Sequence, residues 1–177
     1  MRFRHWLFAS VVLNLLISVA PLTAAAAGSV DLASIDACSL LTPSELSAAV
    51  GVPMGSGEHP MMRNAQLMLG TVPGAKQCEW KRPTQREVSL ALEEVDLYVM
   101  PFVEKSFLAK NDRAGRAGIT SISGLGDDAY FTNNWGAMVL DVKRGPIIVR
   151  VAWLPGADPQ TVMDAERTIA AQVLSEL

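Results

Sequence analysis

Cysteine and histidine are scarce in this chain, with two of each in 177 residues. Two cysteines exclude a four-cysteine zinc site and a cysteine-rich scaffold. Two histidines leave little for a histidine-based metal enzyme. Basic residues are outnumbered, 15 Lys and Arg against 18 Asp and Glu, for a net charge of −3. That balance argues against a nucleic-acid binder, which needs a basic face. Catalytic signatures are also missing: no G-x-S-x-G, S-x-x-K or H-E-x-x-H occurs. With half of its residues hydrophobic and 19% charged, the chain is not of the disordered class, and its length is room for one domain.

What is present begins with an address. Arg2, Arg4 and His5 precede an apolar run over residues 6–20, followed by Pro21 and a small-residue run over 24–27. This is the layout of a secretory signal peptide, with cleavage expected near Ala27. The run is shorter than the roughly 20 residues a membrane-spanning helix needs, so no stable anchor is expected after cleavage. Removal of residues 1–27 leaves 150 residues with a net charge of −5 and His59 as the remaining histidine. The expected location is periplasmic or extracellular. There Cys38 and Cys78 meet oxidising conditions, and a disulfide between them is the simplest reading. A redox or metal-binding pair is the alternative, although redox pairs usually sit as C-x-x-C.

Residues 28–36 read as a loose leader and residues 37–177 as a single domain. Thr42-Pro43-Ser44-Glu45 is a capping box that opens a short helix over 43–50, ended by Gly51. Residues 52–76 have no clear period and read as a long loop, with a short strand possible over 66–69. Strands are expected over 77–81 and 87–95, with Trp80 and Val88 in one hairpin, and a second helix over 102–114. Short strands follow at 119–122 and 129–131 around the Gly124-Leu125-Gly126-Asp127-Asp128 turn. A hairpin of residues 137–142 and 147–153 comes next. Asp158 and Pro159 open the last helix, over 159–176, with Glu166 and Arg167 read as lying away from its apolar stripe. This order predicts an α+β fold: an antiparallel sheet with helices packed on it.

Three stretches are candidates for chemistry. The Asp127-Asp128 pair could attract Ca²⁺, but the EF-hand spacing is absent, and a turn with Asp127 capping backbone amides is the plainer reading. Met54, His59, Met61 and Met62 gather thioethers and one imidazole, which suit Cu(I). Their alternative is ordinary packing, and no metal or cofactor is expected. Trp135, Tyr130, Asp127 and Asp128 form a candidate partner surface, with Trp80 and Trp153 as core. His59 has no obvious serine partner in sequence, and adjacent Glu93 and Glu94 point to opposite sheet faces, so no catalytic residue is assigned.

Asp36-Ala37-Cys38-Ser39-Leu40-Leu41-Thr42-Pro43-Ser44-Glu45, Cys78-Glu79-Trp80 and Gly124-Leu125-Gly126-Asp127-Asp128-Ala129-Tyr130 occur in that order. Together they resemble the exported bacterial proteins and lipoproteins grouped as domain of unknown function 3558. Their pattern is D-x-C-x-L-L-T-x-x-E, C-x-W and G-L-G-D-x-A-Y. The resemblance implies a Cys38–Cys78 bridge and a Mog1/PsbP-like sandwich, and it implies no reaction. The chain departs from the lipoproteins in lacking a cysteine at the end of its first apolar run. The expectation is therefore an exported, disulfide-bonded, non-enzymatic binding or accessory module of the cell envelope. Its partner would be an envelope protein or a small ligand. A soft-metal binder and a hydrolase are the alternatives.

Overall fold

A computed structural model of the chain describes residues 30–60, 72–83, 94–134, 137–153 and 158–177. The expected signal segment, the possible strand over 66–69, Val88, Glu93, Met61, Met62 and Trp135 lie outside the described residues.

Six strands form one antiparallel sheet: β1 (Lys76–Lys81), β2 (Glu94–Pro101), β3 (Ile119–Ile122), β4 (Asp128–Asn134), β5 (Ala137–Arg144) and β6 (Ile147–Trp153). Their spatial order is β1-β2-β6-β5-β4-β3. Helices α1 (Pro43–Val50) and α3 (Pro159–Glu176) flank the series, and α2 (Lys110–Arg113) is a single turn. The α+β architecture is thus the one expected. No helix among the described residues is long and apolar enough to cross a membrane.

Helix boundaries follow from the caps. Thr42 Oγ1 accepts from the Glu45 amide at 3.2 Å, and the Thr42 amide donates to Glu45 Oε2 at 2.8 Å. The Thr42 amide, and then the Thr42 hydroxyl, which donates to the same Oε2 at 2.7 Å, hold the Glu45 carboxyl below its ordinary range. Gly51 closes α1 at φ 75°, which a side chain would disfavour. Asp158 Oδ1 accepts from the Gln160 and Thr161 amides, both at 3.1 Å, and Pro159 takes the first helical position of α3.

The two faces of the sheet are covered differently. On one face α1 and α3 pack over Trp80, Leu97, Leu140 and Val149 to make the main core. On the other, a smaller cluster joins Tyr98, Met100, Phe107, Tyr130 and Ile148. Its cover is residues 102–113, and here the sequence reading is corrected. The expected helix over 102–114 is an extended crossover with a 3₁₀ turn at Glu104–Ser106 and the single turn α2. Of the apolar residues Phe102, Val103, Phe107 and Leu108, only Val103 and Phe107 stand at helical spacing, too little for an apolar stripe. Lying extended, the segment brings the Phe107 ring to 5.0 Å from Tyr130 and 6.1 Å from Phe102, and the Leu108 amide donates to the Tyr130 hydroxyl at 3.2 Å.

Three further readings are revised. The strand expected over 87–95 meets the described chain only at Glu94 and Val95, where β2 begins and runs on to Pro101. Burial alternates from Glu94 to Leu97 and is continuous from Leu97 to Met100, where both faces of the strand are covered. The leader is not loose where described: Val30, Leu32 and Ile35 pack against the main core. Glu166 is fully buried on α3. It stands four residues from both Val162 and Ala170, so helical geometry places it inside the apolar stripe despite its charge.

Candidate functional site

The free edge of β1 is closed by residues 55–59. The Gly55 amide donates to the Lys81 carbonyl at 2.8 Å, and Glu58 and Glu79 exchange two backbone hydrogen bonds, each 2.9 Å. This short pairing delivers His59 to Gln77, whose carbonyl lies 3.3 Å from Nδ1. A 3₁₀ turn at Ala37–Ser39 is capped by Asp36, whose Oδ1 accepts from the Cys38 amide at 2.9 Å. Turn and strand are joined by the Cys38–Cys78 disulfide, with a Cα–Cα distance of 5.0 Å. The disulfide read from the sequence is therefore present. Around it, His59 Nδ1 is 3.8 Å from Cys38 Sγ, and Nε2 is 3.5 Å from Asp36 Oδ1. A cleft of about 290 Å³ opens here, lined by Ile35, Asp36, Ala37, His59, Ala75, Lys76 and Gln77.

Gly57 is what lets the edge segment lie so close. A Cβ at this position would stand 2.6 Å from Cys78 Sγ and 2.7 Å from Trp80 Nε1. Both are fully buried and cannot move aside without opening the core. Gly57→Ala is therefore expected to cost about 1–3 kcal/mol, the usual range for overpacking. Urea unfolding checks this. A loss below about 0.5 kcal/mol would mean that the edge segment does not hold this position.

The second sheet face carries a polar row fixed by strand register. Asp141 faces Arg150, Arg150 faces Tyr98, and Glu79 faces Asp96. Arg150 grips Asp141 with two bonds of 2.5 and 2.9 Å. Gln77 Nε2 donates to Asp96 Oδ1 at 3.1 Å and to the Tyr98 hydroxyl at 2.7 Å. Buried Glu79 touches the Lys81 ammonium. One oxygen each from Glu79, Glu94 and Asp96 lies within 4.8 Å of the others. Burial, then the neighbouring carboxylates, raises Glu94 to about 7. Burial raises Asp96 to about 6 although the Gln77 bond opposes it. Burial and the Asp141 charge push Tyr130 to about 12. At Arg150 burial disfavours the charge, and the bonds to Asp141 outweigh it, so the guanidinium is raised. The row pairs Asp141 with Arg150 and Glu79 with Lys81, and it favours a proton on the Glu94–Asp96 side.

The predicted site residues are scattered. Tyr130 is buried, which removes it from the expected partner surface, because its ring fills the second cluster and lies 4.6 Å beneath the Arg113 guanidinium. Asp127 is exposed and accepts from the Gly145 amide at 2.7 Å. Asp128 pairs with buried Arg113. Their turn depends on Gly126 at φ 59°, where a Cβ would fall 2.4 Å from the Lys143 carbonyl oxygen. Met54 belongs to the main core, so it is no exposed metal ligand. Trp80 and Trp153 are core, as expected. Among the described residues, the polar neighbours of His59 are Cys38, Gln77 and Asp36, with no serine among them.

Sequence reasoning missed Arg113, Glu166 and the Asp141–Arg150 pair. The last had a usable signal: a two-residue turn at Gly145-Pro146 sets residue 141 opposite residue 150. No family model matches the chain, and no curated protein matches it.

Proposed function

We propose that the protein is an exported, non-enzymatic binding or accessory module of the cell envelope, and that the cleft beside its disulfide is where it engages a small polar ligand or a partner's side chain. The observation that carries this reading is the juxtaposition of the Cys38–Cys78 bond with a cleft of about 290 Å³ whose walls offer one carboxylate, one imidazole, one ammonium and one amide. A disulfide persists in oxidising compartments. The basic and apolar start of the chain gives the means of export. The three ordered motifs resembling domain of unknown function 3558, and the Mog1/PsbP-like layout that goes with them, support the same reading.

Native mass spectrometry of the protein purified from its own envelope fraction tests it. The expected result is a chain beginning near residue 28, two hydrogens short at its thiols, and carrying a bound mass or a second chain. Lys76→Glu should weaken that association, because Lys76 supplies the cleft's cation. Ester or amide hydrolysis that disappears in His59→Ala would overturn the reading in favour of a hydrolase.

A further inference from the structure

Three groups with metal-ligating chemistry meet at the mouth of the cleft. One ligand atom each from Asp36, Cys38 and His59 lies within 4.8 Å of the other two. The imidazole turns Nδ1 toward Cys38 Sγ at 3.8 Å and Nε2 toward Asp36 Oδ1 at 3.5 Å. A tetrahedral zinc ion bound at its usual lengths holds N, O and S donors about 3.4–3.6 Å apart. Only one ring nitrogen can enter a given shell, so the relevant bound is the 4.8 Å within which one atom from each residue meets the others. A turn of the ring and a side-chain shift of about 1 Å bring the three donors to shell spacing. The sulfur alone is unfit. Bonded to Cys78, it is no thiolate, and the thiolate is what binds metal. Cys38 is half-buried beside the cleft, whereas Cys78 is fully buried. Of the two half-cystines, the one that belongs to the triad is thus the more accessible to an external reagent.

We propose that the Cys38–Cys78 bond gates a site for a borderline divalent ion of the zinc class, held by Asp36, Cys38 and His59. The opening step uses a dithiol as reductant. One of its thiolates attacks Cys38 Sγ, the bond to Cys78 breaks, and Cys78 leaves and takes a proton. The second thiol attacks the mixed disulfide and releases Cys38 as a thiolate. Two electrons have passed to the protein and the dithiol has become a disulfide. Of its two protons, one rests on Cys78 and the other is lost to solvent as the metal takes the Cys38 thiolate. The thiolate and the Asp36 carboxylate then balance the charge of the ion, the imidazole supplies the third ligand, and water fills the open position toward the cleft. Exchange with a small disulfide closes the gate. Cys38 attacks it and releases one thiol, and Cys78 then attacks the mixed disulfide and releases the second. The small molecule carries off the two electrons with the Cys78 proton and one from solvent, so that the sulfur donor is lost and the ion is freed.

The test titrates the full mature chain with Zn²⁺ against a chromophoric chelator, in its oxidised form and after reduction by a phosphine. The reduced chain is expected to take one equivalent at least about tenfold more tightly than the oxidised chain, in line with the loss of an essential ligand interaction. Co²⁺ in place of zinc should give a near-ultraviolet sulfur-to-cobalt charge-transfer band in the reduced chain only. His59→Ala should lower the reduced affinity at least about tenfold and leave the oxidised melting temperature unchanged. Cys78→Ala, which leaves Cys38 as a free thiol, should show the cobalt band without reductant and melt higher with Zn²⁺. If this variant is unfolded without metal, Zn²⁺ should fold it. Equal affinity in the two redox states, a missing cobalt band, or full affinity in His59→Ala overturns the proposal. So does a Cys78→Ala chain that excess Zn²⁺ neither stabilises nor folds.

Discussion

Cys38→Ser lowers the unfolding free energy of the oxidised protein by about 4 kcal/mol. The bond joins residues 40 apart in sequence, and closing a loop of that length removes much of the freedom of the unfolded chain. The loop holds α1, the edge segment over 55–59 and the approach to β1. β1 is an edge strand, paired with β2 on one side and with Gly55 and Glu58 on the other, so the bridge also anchors that edge. A domain of this size typically has 5–15 kcal/mol in total, so the variant keeps its fold with little margin. Urea unfolding with and without a phosphine reductant checks this. Wild type and variant should differ when oxidised and converge when reduced. A difference under about 1 kcal/mol in the oxidised state would mean that the bridge constrains little, and Cys38 is the better site for the change because Cys78 is fully buried.

The elements that were legible in the sequence are those whose signals are local. Thr42-Pro43 and Asp158-Pro159 state where α1 and α3 begin, because each supplies both a cap and a residue that tolerates the first turn. The β5–β6 hairpin was legible because its alternation is interrupted only by a two-residue turn at residues 145–146. The cover over residues 102–113 was not. Its conformation is set by the apolar surface of Tyr98, Met100 and Ile148 beneath it, which no local window contains. The Asp36–His59 contact was hidden for a related reason. The two residues are far apart in the chain, and only the disulfide together with the Glu58–Glu79 bridge brings them to 3.5 Å. On the second face, Glu79 and Asp141 are buried and held by Lys81 and Arg150, and the burial of that face depends on the cover over residues 102–113, which the strands' own sequence does not show. Glu166 is the sharpest instance, since its position in the helical stripe was visible and its charge argued the other way.

That buried acid gives the protein an expected loss of stability as pH rises, which Glu166→Met abolishes in part. Glu166 is fully buried between α3 and the sheet, and neither carboxyl oxygen has a hydrogen-bond partner among the described residues. Burial raises it to about 9; the nearby Trp153 backbone opposes the shift and the Asp141 charge adds to it. The unfolded chain ionises this group near its ordinary value of 4.5. Below that pH both states hold the proton and the stability is fully present. Above it the unfolded state releases its proton while the folded state does not, so stability falls by about 1.4 kcal/mol per pH unit until the folded group ionises. Between pH 5 and 8 this amounts to about 4 kcal/mol. Methionine has nearly the same length and volume and carries no proton, so it fills the space without this dependence. Glu94 and Asp96, raised to about 7 and about 6, contribute a slope of the same sign that the variant retains. The measurement is the difference between the two proteins in urea unfolding across this range. It should be small at pH 5 and grow steadily in favour of Glu166→Met toward pH 8. Parallel curves would mean that water or a counter-charge reaches Glu166, and that α3 does not bury it as described.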